Sequence, residues 1–105
     1  MVRWPQVLCL HLKRWRRLRD GRRFEKSDTQ VAFKEREHVE ASDHVYRLRS
    51  VCNHAGMAGG GHYTSFVRGH GGGWYFCDDG VSPSQTEVAR VLGSEGYMLF
   101  YEREQ

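Results

Sequence analysis

A histidine behind three glycines and ahead of a tyrosine, Gly59-Gly60-Gly61-His62-Tyr63, is the stretch of this sequence best suited to chemistry. Sixteen residues after His62 stands an acid pair, Asp78-Asp79. A carboxylate beside one imidazole nitrogen fixes the tautomer and stabilises the protonated ring. The other nitrogen is then free to take a proton from a nucleophile. Taken alone, the same residues also fit a structural histidine and an aspartate turn. The outcome depends on the elements that carry them.

Residues 62–68 read as a strand, and Trp74-Tyr-Phe-Cys-Asp78 reads as its return after the turn 69–73. Such a hairpin, closing at Gly71-Gly72, would bring His62 and Asp78 to the same end. Before it, residues 54–62 hold four glycines in nine positions, the mark of a loop with positive φ or of a closely approached backbone. Residues 45–53 alternate, with Tyr46, Leu48 and Ser50 opposing Arg47, Arg49 and Val51, as an amphipathic strand does. Residues 6–15 read as a strand whose first half is apolar on both sides, as in a central position. Asp20-Gly21 signals a turn, 29–33 a short strand, and the charged run 34–43 an exposed loop. Ser84-Gln-Thr-Glu87 has the pattern of a capping box, which predicts a helix over 85–92 stopped by Gly93. Residues 97–101 close the chain as a strand. About six strands and one short helix, mostly with short connections, predict an α+β fold with a mostly antiparallel sheet.

The chain has 105 residues, enough for one small domain. No apolar run approaches the ~18 residues of a membrane helix. Three cysteines, with no CxxC pairing, exclude a disulfide scaffold and a four-cysteine zinc site, so no metal or cofactor is expected. The net charge of +3 divides unevenly. Residues 1–50 carry 13 Lys and Arg against 7 Asp and Glu, whereas residues 51–105 carry 3 against 6. The arginines at 14, 16, 17, 19, 22 and 23 fit a solvated turn, or else an acidic or nucleic-acid partner. No nucleic-acid motif accompanies them.

Six ordered segments within residues 5–103 resemble the C-terminal half of the catalytic domain of ubiquitin-specific proteases, the ubiquitin carboxyl-terminal hydrolases. Pro5-Gln-Val-Leu-Cys-Leu-His-Leu-Lys-Arg-Trp15 resembles the family's P-x-V-L-x-L-H-L-K-R-F strand. Val31-Ala-Phe33 resembles its V-x-F-P strand, with Lys34 in place of proline. Tyr46 to Gly56 is similar to Y-x-L-x-A-V-x-N-H-x-G, and Gly60-Gly-His-Tyr-Thr-Ser-Phe66 to the histidine box G-G-H-Y-x-A-Y. Trp74 to Val81 is similar to W-Y-x-F-D-D-x-x-V, and Tyr97 to Arg103 to A-Y-x-L-F-Y-x-R.

The resemblance implies a papain-like fold in which this segment forms palm strands. It implies His62 as general base, Asp78 as its orienting acid and Asp79 as a support. Gly60, Gly61 and Tyr63 match positions beside the narrow channel for ubiquitin's C-terminal Gly-Gly. Such a channel admits only a tail without side chains. Loops 35–44 and 54–61 match the two loops over that tail. The implied activity is hydrolysis, through a thioester, of isopeptide and peptide bonds after ubiquitin's last glycine. The implied partners are ubiquitin and ubiquitinated proteins, without membrane or nucleic acid, inside the cell in cytoplasm or nucleus.

The family's G-N-T-C-[FY] nucleophile box does not occur in these residues. Cys9 and Cys52 fall inside strands, where burial is expected, and Cys77 adjoins a carboxylate that disfavours a thiolate. The expectation is a piece of a longer cysteine protease that supplies the base-bearing half, the thumb and most of the fingers lying elsewhere. The alternative is an inactive ubiquitin-binding module.

Overall fold

A computed structural model describes residues 3–12, 15–17, 24–26, 31–55 and 61–104. The regular elements are strands β1 (Val7–His11), β2 (Trp15–Arg17), β3 (Phe24–Lys26), β4 (Arg36–Val39), β5 (His44–Ala55), β6 (His62–Arg68), β7 (Trp74–Asp78) and β8 (Ser84–Thr86), then helix α1 (Val88–Leu92) and strand β9 (Gly96–Arg103). Seven strands form one sheet in the order β1-β9-β5-β6-β7-β8, with β4 also paired to β5. Every pairing among the described residues is antiparallel, and β2 with β3 makes a separate ribbon. The α+β reading, a mostly antiparallel sheet with one short helix, describes this architecture.

The twelve-residue β5 is the spine. Strand β9 runs along one edge of it, from Tyr46 to Asn53. The other edge is shared, β4 pairing with residues 44–47 and β6 with residues 50–55. A register shift between Leu48 and Ser50 changes the expected alternation. The extra residue puts Val51 on the same face as Tyr46 and Leu48, and all three are fully buried. With Phe66, Trp74, Leu99, Tyr101 and Val91 of α1 they form the core. Arg90 of α1 lies over the rings of Phe76 and Phe66, at 4.5 and 5.5 Å from their centroids. Two buried phenols stitch on the irregular segments. Tyr46 donates to the Pro5 carbonyl at 2.6 Å and Tyr101 to the Lys34 carbonyl at 2.7 Å. Burial, with the nearby Glu37 adding to it, pushes the Tyr101 phenol up to about 12.

Several local expectations are corrected. Strand β1 is an edge strand among the described residues, paired only with β9, and its Val7 and Leu10 are exposed. Cys9 is exposed with it. Within 34–43 the residues Arg36–Val39 form a strand paired with β5, and Arg36 makes a bidentate pair with Glu104, just past β9. Of the expected strand 29–33, residues 31–33 carry no regular structure and the rest lies outside the described residues. The helix starts at Val88, not 85; Ser84–Thr86 instead pair with β7 as a strand. Glu87 is the N-cap and no side chain caps it, so the capping box does not form. Gly93 does end the helix, its N–H bonded to the Ala89 carbonyl at 3.0 Å. The Asp20-Gly21 turn lies outside the described residues.

Candidate active site

Strands β6 and β7 form the expected hairpin, closed by a five-residue turn in which the Gly69 N–H donates to the Gly73 carbonyl at 2.8 Å. Gly72 adopts φ +89°, a conformation that favours glycine. Across the hairpin Thr64 is opposite Asp78, which makes His62 and Asp78 diagonal neighbours on one face. His62 Nε2 lies 2.6 Å from Asp78 Oδ1. A carboxylate only accepts hydrogen bonds, so Nε2 carries the hydrogen and Nδ1 is the nitrogen left to act. The His62 side chain is 56% exposed, so a reacting group has access to that nitrogen.

Asp79 follows in an exposed turn, where the Val81 N–H donates to the Asp78 carbonyl at 3.1 Å and Gly80 has φ +72°. The ion pair of His62 is with Asp78. Gly60 lies outside the described residues. Gly61 sits at φ +116°, and a Cβ there would meet the Ala55 carbonyl oxygen at 2.5 Å and His54 Nε2 at 2.6 Å. Both glycine roles read from the sequence, positive φ and close approach, coincide at this residue. Tyr63 is 55% exposed and points to the opposite face from His62, its ring 4.6 Å from that of His54.

The three cysteines stand apart from the imidazole. Cys52, Ser65 and Cys77 form one row across β5, β6 and β7, on the face opposite His62 and Asp78. That row and residues 78–80 line an open cleft of about 350 Å³. Burial pushes the Cys52 thiol up, which disfavours a reactive thiolate. No three His, Cys, Asp or Glu side chains that could hold a metal converge among the described residues. No helix among them is long and apolar enough to cross a membrane.

His54 is a site residue that residue type and spacing do not single out. The glycine-rich run 54–62 reads as a loop from its first residue, but β5 continues through Ala55 and leaves His54 buried opposite Tyr63. Its signal is the alternation of β5, which continues two residues beyond Cys52.

Residues 1–101 match the family model described as "Ubiquitin carboxyl-terminal hydrolase". Ubiquitin carboxyl-terminal hydrolase 51 of Mus musculus is 37% identical over 99% of this chain and 18% of its own length. Ubiquitin carboxyl-terminal hydrolase 22-A of Xenopus laevis is 36% identical over 99% of this chain and 24% of its own length. Among solved structures, a SAGA DUB module, Ubp8/Sgf11/Sus1/Sgf73 bound to monoubiquitin, contains a chain that superposes with a TM-score of 0.88. That chain is 31% identical, over 96% of this chain and 24% of its own. The present chain thus spans about a fifth to a quarter of these relatives.

Proposed function

The chain belongs to the ubiquitin carboxyl-terminal hydrolase family, and from that premise we propose that it is the base-bearing part of a thiol-dependent deubiquitinase. The observation that carries this reading is the 2.6 Å contact between His62 Nε2 and Asp78. His62 Nδ1 takes the proton of a cysteine thiol supplied from outside these strands. The thiolate attacks the carbonyl of ubiquitin's terminal glycine. The protonated imidazole returns the proton to the departing lysine amine, leaving a thioester. His62 then takes a proton from water, which hydrolyses the thioester and frees the thiol. Asp78 holds the tautomer and stabilises the imidazolium, and Asp79 supports the turn that carries it.

In this reading residues 5–103 are palm strands of a papain-like fold, with thumb and most of the fingers elsewhere. Gly60, Gly61 and Tyr63 border the channel for the ubiquitin tail. The substrates are ubiquitinated proteins, met in cytoplasm or nucleus. A second reading, a ubiquitin-binding module without hydrolysis, is favoured by one observation. Cys52 and Cys77 both lie on the face away from His62.

The test uses the complete gene product and a ubiquitin-linked substrate. His62→Ala should lower turnover about a hundredfold or more and leave ubiquitin affinity within about twofold. Turnover within about tenfold of wild type would sink the assignment. Asp78→Asn should cost as much or less, since it disturbs tautomer and orientation without removing the base. A wild-type protein that binds ubiquitin and hydrolyses nothing establishes the second reading.

A further inference from the structure

His62 begins a strand, and its pairing with Ala55 is the last rung of the β5–β6 ladder among the described residues. The end of a ladder frays readily, and the chain before it is rich in glycine. A general base cannot work from a fraying position, because an ångström of misplacement costs about a hundredfold in rate. Something besides the ladder must hold this residue.

His54 is placed to do so. It is 5% exposed and lies opposite Tyr63, on the face of the sheet away from His62 and Asp78. Its ring centroid is 4.6 Å from that of Tyr63, with the planes tilted by 57°. Tyr97, 6.2 Å from both rings, closes the cluster. The same imidazole meets the residue on the other side of His62. A Cβ at Gly61 would fall 2.6 Å from His54 Nε2 and 2.9 Å from its Cε1, so the Gly61 backbone rests against the ring. One flat side chain therefore contacts both chain neighbours of His62.

We propose that His54 is a positioning residue for this site, its imidazole clamping Gly61 and Tyr63 so that the His62 ring leaves the opposite face aimed at Asp78. The proposal rests on the reading of His62 as general base. His54 touches no reacting atom. It narrows the orientations of His62, which is expressed in kcat more than in KM.

Three substitutions in the complete gene product test it. His54→Ala should lower kcat about tenfold to a hundredfold with KM within about threefold of wild type. His54→Leu fills the volume without a flat ring, should lose as much, and carries the test if the alanine variant does not fold. His54→Phe restores a flat ring and should recover kcat to within about fivefold of wild type. Proton NMR reads the clamp separately. The proton between His62 Nε2 and Asp78 should give a sharp, far-downfield resonance in wild type and His54→Phe. In the other two variants it should broaden or vanish.

Overturning results are kcat within about twofold of wild type in His54→Leu, or a phenylalanine variant as impaired as the leucine one. Absence of the downfield resonance from the wild type would also overturn the proposal. If the wild-type gene product hydrolyses no ubiquitin substrate, the reading of His62 as base fails. The resonance in the same four proteins then still decides whether His54 holds the pair.

Discussion

Gly61 has no tolerance for a side chain, for two independent reasons. Its φ of +116° is strained for any L-residue, and its missing Cβ would collide with a backbone oxygen at 2.5 Å. The Ala55 oxygen belongs to the backbone, so it cannot swing aside as the end of a long side chain can, and only opening of this strand end would relieve the contact. Gly61→Ala should therefore destabilise the protein by about 2–3 kcal/mol in denaturant unfolding and displace His54. A loss under about 0.5 kcal/mol would show that the strand end relaxes freely and that the contact holds nothing. At this scale the sequence was informative wherever chemistry and local pairing coincide. His62 and Asp78 could be joined by counting along a hairpin, since one turn and a period of two fix their register. His54 could not, because its contacts cross to a neighbouring strand and to a glycine with no side chain to advertise it.

The elements were legible where one force dominated and misread where two competed. The hairpin of β6 and β7 follows from alternation and a glycine turn, and its boundaries agree with the structure. The charged run 34–43 reads as a loop until cross-strand partners are considered. Arg36 pairs with Glu104, and the neighbouring Glu35 with Arg68 at 2.6 Å, so polar residues occupy a strand and its approach without loss. The Ser84-to-Glu87 pattern has two possible uses, as a helix cap or as one more strand. The exposed edge of β7 wins, taking Ser84–Thr86 into the sheet and leaving a five-residue helix. A test of that outcome is Ser84→Ala. With no side-chain cap to lose, it should change stability by less than about 0.5 kcal/mol. A measured loss near 1 kcal/mol, the usual cost of deleting a cap, would mean that Ser84 caps the helix after all.

Among the described residues the sheet leaves several large apolar side chains exposed. One face of β1 and β9 opens into a groove of about 330 Å³ lined by Leu8, Leu10, Leu12, Val31, Phe33 and Val39. Among the described residues strand β1 is also a sheet edge, with Val7 53% and Leu10 45% exposed. An apolar edge beside an apolar groove is what another strand or a second copy of the chain would seek. The apolar pattern of residues 6–15 reads as a strand covered on both sides, whereas Val7–His11 form a sheet edge among the described residues. The 105-residue chain purified by itself should therefore self-associate as its concentration rises and brighten a hydrophobic dye. Leu10→Lys should suppress both, because it places a charge on the edge and in the groove while leaving the His62–Asp78 hairpin untouched. Sedimentation velocity across a concentration series decides the matter. A wild-type chain that stays monomeric and dye-silent throughout would show that the groove closes on itself. Association that Leu10→Lys leaves unchanged would shift the adhesive surface away from β1.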